Sequence, residues 1–377
     1  MKILTLCYEF PPVGGGGGRV ARQVAAGLVQ RGHEVRLVTA GLKHLPRRET
    51  QDGVLLLRPE SFRKKEDTCT VPEMGLYVAT ALLPILREAR QWRPDVIHAH
   101  FAVPTGPLAL AAHLATGIPY VLTAHLGDVP GGVPEQTAHL YRLLNPFIRP
   151  VWKRAAALTA VSHFVGGLAH CAYAVDPVII PNGMEPVAAP DLSLKTPRRI
   201  VMAGRLSIQK NPLLALESLA LIKDLPWEFH VIGEGPLGQD MRAAVGRHAL
   251  TDRITFHGWQ SPDQVAQIMG ASDILLMPSL HEGLPMVAIE ALMRGLALVG
   301  SAIGGLQDVI DEGSNGFFCE LRPEPFASRL RELLTNDSLL AKMRQASREK
   351  SADFALDKTI DSYERVLKDA AVTKPSA

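Results

Sequence analysis

Three short blocks carry residue types whose spacing suits chemistry on a phosphate-bearing ligand. The first is Pro11-Pro12-Val13-Gly14-Gly15-Gly16-Gly17-Gly18-Arg19. Its five glycines let the backbone approach a ligand closely, and their N–H groups lead into a helix N-terminus, which favours anions. It reads as a phosphate cradle, with a flexible loop as the plainer alternative. Gly16, Gly18 and Ala21 also satisfy a loose dinucleotide fingerprint, but the second strand ends in Thr39-Ala40-Gly41 and offers no acidic residue for a ribose. The second block is Ala203-Gly204-Arg205-Leu206, followed by Lys210-Asn211-Pro212. Its two cations, set between a glycine turn and a helix start at Pro212, suit a diphosphate whose negative charge grows as a bond to it breaks. Solvated surface charge is the alternative.

The third block is His281-Glu282-Gly283-Leu284-Pro285-Met286-Val287-Ala288-Ile289-Glu290. Pro285 in the first turn of a helix puts Glu282 in the preceding loop and Glu290 more than a turn inside. That helix is apolar nearly all round and is expected to be buried, so the Glu290 carboxylate needs a partner. Ribose hydroxyls would supply one, and so would Arg294 at i,i+4. Glu282 has no comparable local partner. A fourth feature is Asp95-Val96-Ile97-His98-Ala99-His100, whose histidines alternate onto one strand face. With no third ligand at suitable spacing, they read as hydrogen-bonded, pocket-lining residues rather than a metal site.

These blocks need elements to hold them. Short β-branched runs alternate with helical-period segments, the pattern of parallel βα units. Strands are expected at 3–6, 35–39, 54–57, 96–100, 120–124, 158–161 and 178–180, then at 200–203, 229–232, 254–256, 274–277, 296–300 and 317–319. A helix over 19–30 places Val20, Val24 and Leu28 on one face, and Gly32 stops it. The Pro/Ala-rich stretch Glu185-Pro186-Val187-Ala188-Ala189-Pro190 marks the linker, giving a first domain at 1–183, a linker at 184–199 and a second domain at 200–355. In doubly wound sheets ligands bind at the carboxyl ends of the strands, where all three blocks fall.

Composition narrows the classes further. A chain of 377 residues exceeds the roughly 250–300 at which one core stops growing, so two domains are expected. A net charge of +2 with near-matched acids and bases does not suit a nucleic-acid binder. Cys7, Cys69, Cys171 and Cys319 are scattered, which argues against a zinc site or a disulfide framework. No stretch approaches the roughly 20 apolar residues of a membrane span, so the chain is expected to be cytoplasmic, with peripheral contact at the inner face of the membrane as the furthest alternative. The segment 139–154 interleaves apolar residues with Arg142, Arg149, Lys153 and Arg154 and could rest on anionic lipid. Pro146 and Pro150 instead suggest two short core-packed helices with solvated cations.

Taken in order, the three blocks resemble the retaining glycosyltransferases of family 4, which have the GT-B fold. Smaller matches agree: Thr123-Ala124-His125-Leu126-Gly127-Asp128, Pro181-Asn182-Gly183, Ile232-Gly233-Glu234-Gly235-Pro236, Phe256-His257-Gly258, Gly304-Gly305 and Asn315-Gly316. The likeness runs from Lys2 to about Cys319, and the E-x7-E spacing of Glu282 and Glu290 is its most specific part. Asp308 departs from it, since the family more often carries Glu there. The resemblance implies an α/β architecture of two facing Rossmann-like domains with the active site in the interdomain cleft. It also implies that the closing segment 356–377 forms a helix crossing back to the first domain, then a tail.

The resemblance implies roles as well. Glu282 would contact donor-sugar hydroxyls, Glu290 the ribose, Arg205 and Lys210 the diphosphate, and Gly15 and Gly16 the distal phosphate. His125 would stand near the transferring sugar. Asp128, Gly204, Glu234, Gly283, Leu284, Pro285, Met286 and Val287 would complete the substrate-binding set. The implied reaction moves a sugar from a nucleotide-diphosphate sugar to a hydroxyl of a glycan, lipid-linked or small-molecule acceptor, as in polysaccharide biosynthesis. Configuration is retained by front-face transfer, in which the departing diphosphate accepts the acceptor proton, and no metal or other cofactor is needed. No carboxylate pair brackets a reaction centre as in glycoside hydrolases. The alternatives are a nucleotide-sugar epimerase or hydrolase on the same fold, or a non-catalytic nucleotide-sugar binding protein.

Overall fold

Leucine-, valine- and isoleucine-rich runs without polar alternation form strands buried on both faces, as parallel sheets covered by helices require. The computed structural model describes residues 1–66, 68–188 and 190–372, except the side chains of 135–140, 142 and 143. It divides into two compact units, Met1–Gly183 with the chain from Leu356 onward, and Met184–Ala355.

The first unit contains β1 (Lys2–Cys7), α1 (Gly16–Gln30), β2 (Glu34–Val38), β3 (Arg48–Gln51), β4 (Val54–Leu57), α2 (Val71–Gln91), β5 (Val96–His100), α3 (Thr105–Thr116), β6 (Tyr120–Ala124), α4 (Pro134–Lys153), β7 (Ala157–Ala160), α5 (His163–Tyr173) and β8 (Val178–Ile179). Its sheet has the order β3-β4-β2-β1-β5-β6-β7-β8, parallel throughout except for the β3–β4 pair. The second unit contains β9 (Arg198–Ala203), α6 (Pro212–Ala220), β10 (Trp227–Ile232), α7 (Gly238–Arg247), β11 (Ile254–Gly258), α8 (Pro262–Gly270), β12 (Ile274–Met277), α9 (Met286–Met293), β13 (Ala297–Ser301), β14 (Gly316–Cys319), α10 (Pro323–Thr335) and α11 (Asp337–Lys350). Its parallel sheet has the order β11-β10-β9-β12-β13-β14.

Helix α12 (Leu356–Val372) belongs to the first unit. It buries Leu356, Ile360, Tyr363 and Leu367, one face at i, i+4, i+7 and i+11. Gly27 of α1 lies directly under Ile360, where a Cβ would come within 2.1 Å of Ile360 Cδ1. Arg31 reinforces the contact through Asp361 and Glu364, and His33 Nε2 lies 2.8 Å from Glu364 Oε1.

Three local readings change. The expected helix at 19–30 begins at Gly16, so three of the five glycines are its first turn. Two of them are required by packing: a Cβ on Gly17 would meet Phe101 Cζ at 2.3 Å, and one on Gly18 the Glu9 backbone at 3.0 Å. Strand β3 was not expected, because Arg48-Glu49-Thr50-Gln51 has no apolar run. It is a polar edge strand, turned back onto β4 by Asp52 and Gly53 with φ of 51° and 77°, the left-handed pair a tight hairpin needs.

Residues 134–153 form one helix rather than two. Pro146 and Pro150 are both exposed and lie four apart, so the lost hydrogen bonds fall on one solvent-facing side where water can serve the freed carbonyls. Ile148, Val151 and Trp152 are core-packed, Arg149, Lys153 and Arg154 are exposed, and Phe147 is 74% exposed. His139, Leu140, Arg142 and Leu143 lie outside the described side chains.

In the second unit, Arg344 and Asp273 form a completely buried ion pair at 2.7 Å. The guanidinium also donates to the carbonyls of Gly295, Asp191 and Ser193, and the carboxylate accepts from the N–H groups of Lys195 and Arg199. One side-chain pair thus ties the segment entering β9 to the sheet and to α11. Arg344→Ala strands a buried carboxylate and is expected to cost about 3–5 kcal/mol, read as a lower denaturant midpoint for the second unit. An unfolding free energy within about 0.5 kcal/mol of wild type, the size of a surface change, would contradict this.

Candidate functional site

The candidate residues Arg205, Glu234 and Glu282 of the second unit each sit in the loop after the carboxyl end of a strand. Chain reversal after β9 uses Gly204, with φ of 137°, and Gly204 N–H donates to Ile232 O at 2.9 Å. Leu206 N–H donates to Glu234 O at 2.9 Å, joining this loop to the one after β10. Gly233 must be glycine, since its φ is 116° and a Cβ would lie 2.1 Å from Gly204 O. The loop after β12 is tied in similarly: Leu280 N–H donates to Gln209 O at 2.7 Å, and Gln209 Nε2 to His281 O at 2.9 Å. On its other side Gly305 N–H donates to Glu282 O at 2.9 Å, and a Cβ on Gly305 would meet Gly283 O at 1.7 Å.

This lacing brings Lys210 Nζ within 2.6 Å of Glu282 Oε1. Glu282 is buried and Lys210 half-buried, so the partner that Glu282 lacks locally arrives from 72 residues away. Arg205 is exposed on the same loop as Lys210, and Glu234 is exposed on the neighbouring one. Gly283, Leu284 and Pro285 are buried, Met286 and Val287 open the first turn of α9, and Pro285 is its N-cap. Glu290 pairs with Arg294, Nη2 at 3.1 Å and Nε at 3.4 Å. Both contacts fall on Oε1, so the pairing and a contact through the other oxygen are compatible.

In the first unit, Gly15 N–H donates to Glu9 Oε2 at 2.9 Å, and Gly14 N–H to Glu66 O at 2.7 Å. The amide expected to face a phosphate is thus held by the chain's own carboxylate. Sequence reasoning missed Glu9, although a carboxylate six residues before Gly15 was a visible candidate for the N-terminus of α1. Gly16 begins α1.

Asp128 is buried and spends both oxygens on backbone: Oδ1 accepts from His125 N–H at 2.9 Å and Leu126 N–H at 3.0 Å, and Oδ2 from Ala102 N–H at 2.8 Å. Burial pushes its carboxyl above the usual range against these three bonds. In this arrangement it shapes the loop that carries His125. His125 Nε2 lies 3.2 Å from His100 Nδ1, and Phe101 stacks on the His125 ring at 4.3 Å. His98 Nε2 is 2.8 Å from Thr123 Oγ1, and its ring lies 4.2 Å from that of His100. Burial pushes His98 and His125 down to about 3, and His100 well below the ordinary histidine range, so all three rings are neutral. Among the described residues, no group of three or more His, Cys, Asp or Glu could hold a metal ion, and no helix is long and apolar enough to cross a membrane.

Comparison with known proteins bears on the family and the fold. Residues 14–187 match the model described as Glycosyltransferase Family 4, and residues 188–350 the one described as Glycosyl transferases group 1. The 2-deoxystreptamine glucosyltransferase of Streptomyces kanamyceticus is 28% identical over 92% of this chain and 97% of its own. Among solved structures, sucrose-phosphate synthase from Thermosynechococcus elongatus superposes with a TM-score of 0.82 at 20% identity, covering 97% of this chain and 98% of that one. HepE from Anabaena, in complex with UDP and glucose, gives 0.78 at 18% identity, covering 98% and 99%. The family models thus give a glycosyltransferase, and the two sheets with the solved structures give the GT-B fold. The chain belongs to glycosyltransferase family 4.

The neutral histidine cluster makes stability depend on pH. Each ring stays unprotonated when folded but takes up a proton when unfolded below about 6.5. Stability therefore falls as pH drops through 6.5, and continues to fall until the folded rings protonate, near 3 for His98 and His125. The slope is up to about 1.4 kcal/mol per pH unit for each ring. Asp128, shifted upward, opposes this in its own window, since its contribution is lost as pH rises through its folded pKa. Hydrogen-exchange protection of β5 and β6 amides should decline from pH 7 to pH 5 after correction for intrinsic exchange. Constant protection would contradict a buried neutral cluster.

Proposed function

We propose that the chain transfers a sugar from a nucleotide-diphosphate sugar to an acceptor hydroxyl with retention of configuration. The observation that carries this reading is the Lys210–Glu282 pair, a cation and a buried carboxylate brought together on laced strand-end loops. A cation there meets the leaving diphosphate, and a carboxylate accepts hydrogen bonds from donor-sugar hydroxyls. Arg205, on the same loop, would share the diphosphate charge, and Glu290 would take the ribose through Oε2 while keeping Arg294. In front-face transfer the departing oxygen accepts the acceptor proton, so no separate protein base and no metal are called on. Gly15 and Gly16 would receive the distal phosphate, with Glu9 giving up the Gly15 N–H. His125 would meet the transferring sugar.

UDP in the HepE complex makes a uridine nucleotide the first donor to test. The name of the Streptomyces relative makes a glucosyl group and a small aminocyclitol acceptor the first pair. Peripheral contact with anionic lipid is a second reading, favoured only by the exposure of Phe147 beside Arg149, Lys153 and Arg154. Vesicle co-sedimentation at low and high salt decides that one.

A panel of nucleotide-diphosphate sugars should contain at least one that raises the melting temperature in proportion to the logarithm of its concentration. With that donor, Arg205→Ala and Lys210→Ala should each lower turnover by roughly 10²–10³. Product analysis should show the anomeric configuration retained, and near-wild-type turnover in both variants would remove the diphosphate assignment. Sugar release at equal rate with and without acceptor would favour a hydrolase instead.

A further inference from the structure

The histidine cluster contains a proton-placement problem with one economical solution. His100 ends β5 and is paired in register with Thr123 of β6, two residues before His125. That register sets His100 Nδ1 against His125 Nε2 at 3.2 Å. The other nitrogen of His100, Nε2, is buried and has no hydrogen-bond partner among the described residues. A neutral imidazole has a single N–H, so one ring must donate and the other accept.

If His125 donated from Nε2, His100 would have to carry its own proton on Nε2, leaving a buried N–H with nothing to receive it. Orphaned buried N–H groups are rare, and stranding one costs its full desolvation. If His100 donates from Nδ1, its Nε2 keeps only a bare lone pair in the dry interior, and the His125 proton falls on Nδ1, which, unlike His100 Nε2, is not one of the buried partnerless atoms. His98 follows the same pattern: Nε2 faces Thr123 Oγ1 at 2.8 Å, Thr123 Oγ1 lies 2.7 Å from Thr159 Oγ1, and the partnerless nitrogen is again a single buried atom, Nδ1.

We infer that His100 is a positioning residue that holds His125 as the Nδ1–H tautomer, so that His125 offers a hydrogen-bond donor, and not a base, to an oxygen of the transferring sugar. The part of this statement that concerns the sugar rests on the function proposed above; the tautomer does not. With its Nε2 lone pair engaged by His100, His125 has no site for taking a proton from an acceptor. That fits a transfer in which the leaving diphosphate takes it. The group recognised is a sugar hydroxyl oxygen acting as acceptor. Because Asp128 fixes the backbone of His125 while His100 fixes its ring, the donor direction is set before any substrate arrives.

Long-range ¹H–¹⁵N spectra of the ¹⁵N-histidine-labelled full chain read the tautomer of each ring directly. The expected pattern is protonated Nδ1 and bare Nε2 for both His100 and His125; a His125 ring protonated on Nε2 overturns the proposal. His100→Asn keeps an N–H close to the position of Nδ1 and should preserve the His125 pattern. His100→Leu should leave His125 in a mixture of tautomers, and an unchanged pattern there would show that His100 is not the cause. With a donor identified, the Leu variant should lose about 10–100-fold in kcat with nucleotide affinity unchanged, and the Asn variant should recover most of it. If the spectra behave as expected but turnover does not change, the contact between His125 and the sugar fails while the tautomer assignment stands. Should the Leu variant not fold, the wild-type spectrum alone still decides the tautomer.

Discussion

Most candidate site residues of this protein stand on loops that have little secondary structure of their own, and what fixes those loops is backbone hydrogen bonding from one loop to the next. Parallel strands need crossover connections, so every loop leaving the carboxyl edge of a sheet has neighbours on that edge and can be tied to them. In the second unit the chain of ties runs from Gly204 to Ile232, from Leu206 to Glu234, from Leu280 to Gln209 and from Gly305 to Glu282, with Gly233 packed against Gly204 O and Gly305 against Gly283 O. Two of these approaches leave no room for a Cβ. The glycines therefore set the spacing between loops, and the spacing sets where Lys210 and Glu282 meet.

A second regularity is that groups suited to a substrate already have partners inside the chain. Lys210 holds Glu282, Arg294 holds Glu290, and Glu9 holds the amide of Gly15. Burying an unmatched charge is expensive, so half-buried polar groups waiting for a ligand are stable only when something internal stands in for it. On the proposed function, binding would be an exchange of partners, and its net gain would be the difference between two sets of hydrogen bonds rather than the value of one. A phosphate carries more charge and more acceptor oxygens than the carboxylate it would displace, which gives the exchange a direction.

Much of this was legible in the sequence because it depends on local pattern. The strands with continuous apolar runs are found where their β-branched residues placed them, and Pro212 and Pro285 mark the starts of α6 and α9. The misses share a cause in tertiary context. Strand β3 has no hydrophobic signal because it lies at a solvated edge, and only the Asp52-Gly53 turn betrays it. The prolines of α4 read as breaks because their shared outward face is a property of the folded helix. The Glu282 partner and the contact between His100 and His125 join residues from different loops or strands, whereas the Glu9 carboxylate meets Gly15 within one loop. Of these, only Glu9 lay close enough in sequence to Gly15 to be suspected.

The placement of α12 has a consequence for how the chain is made. Met184–Ala355 is one uninterrupted stretch that contains its whole sheet, its core and the Arg344–Asp273 tie, and it can close as soon as it has left the ribosome. The first unit, although synthesised earlier, lacks the helix that covers Gly27 and places Tyr363 beside His98 until the last segment emerges. The usual order, in which the N-terminal domain finishes first, is therefore reversed. During translation the exposed face of α1 waits for the whole of the second unit to be made, and a chain stopped just before Leu356 would carry a finished second unit attached to an unfinished first one.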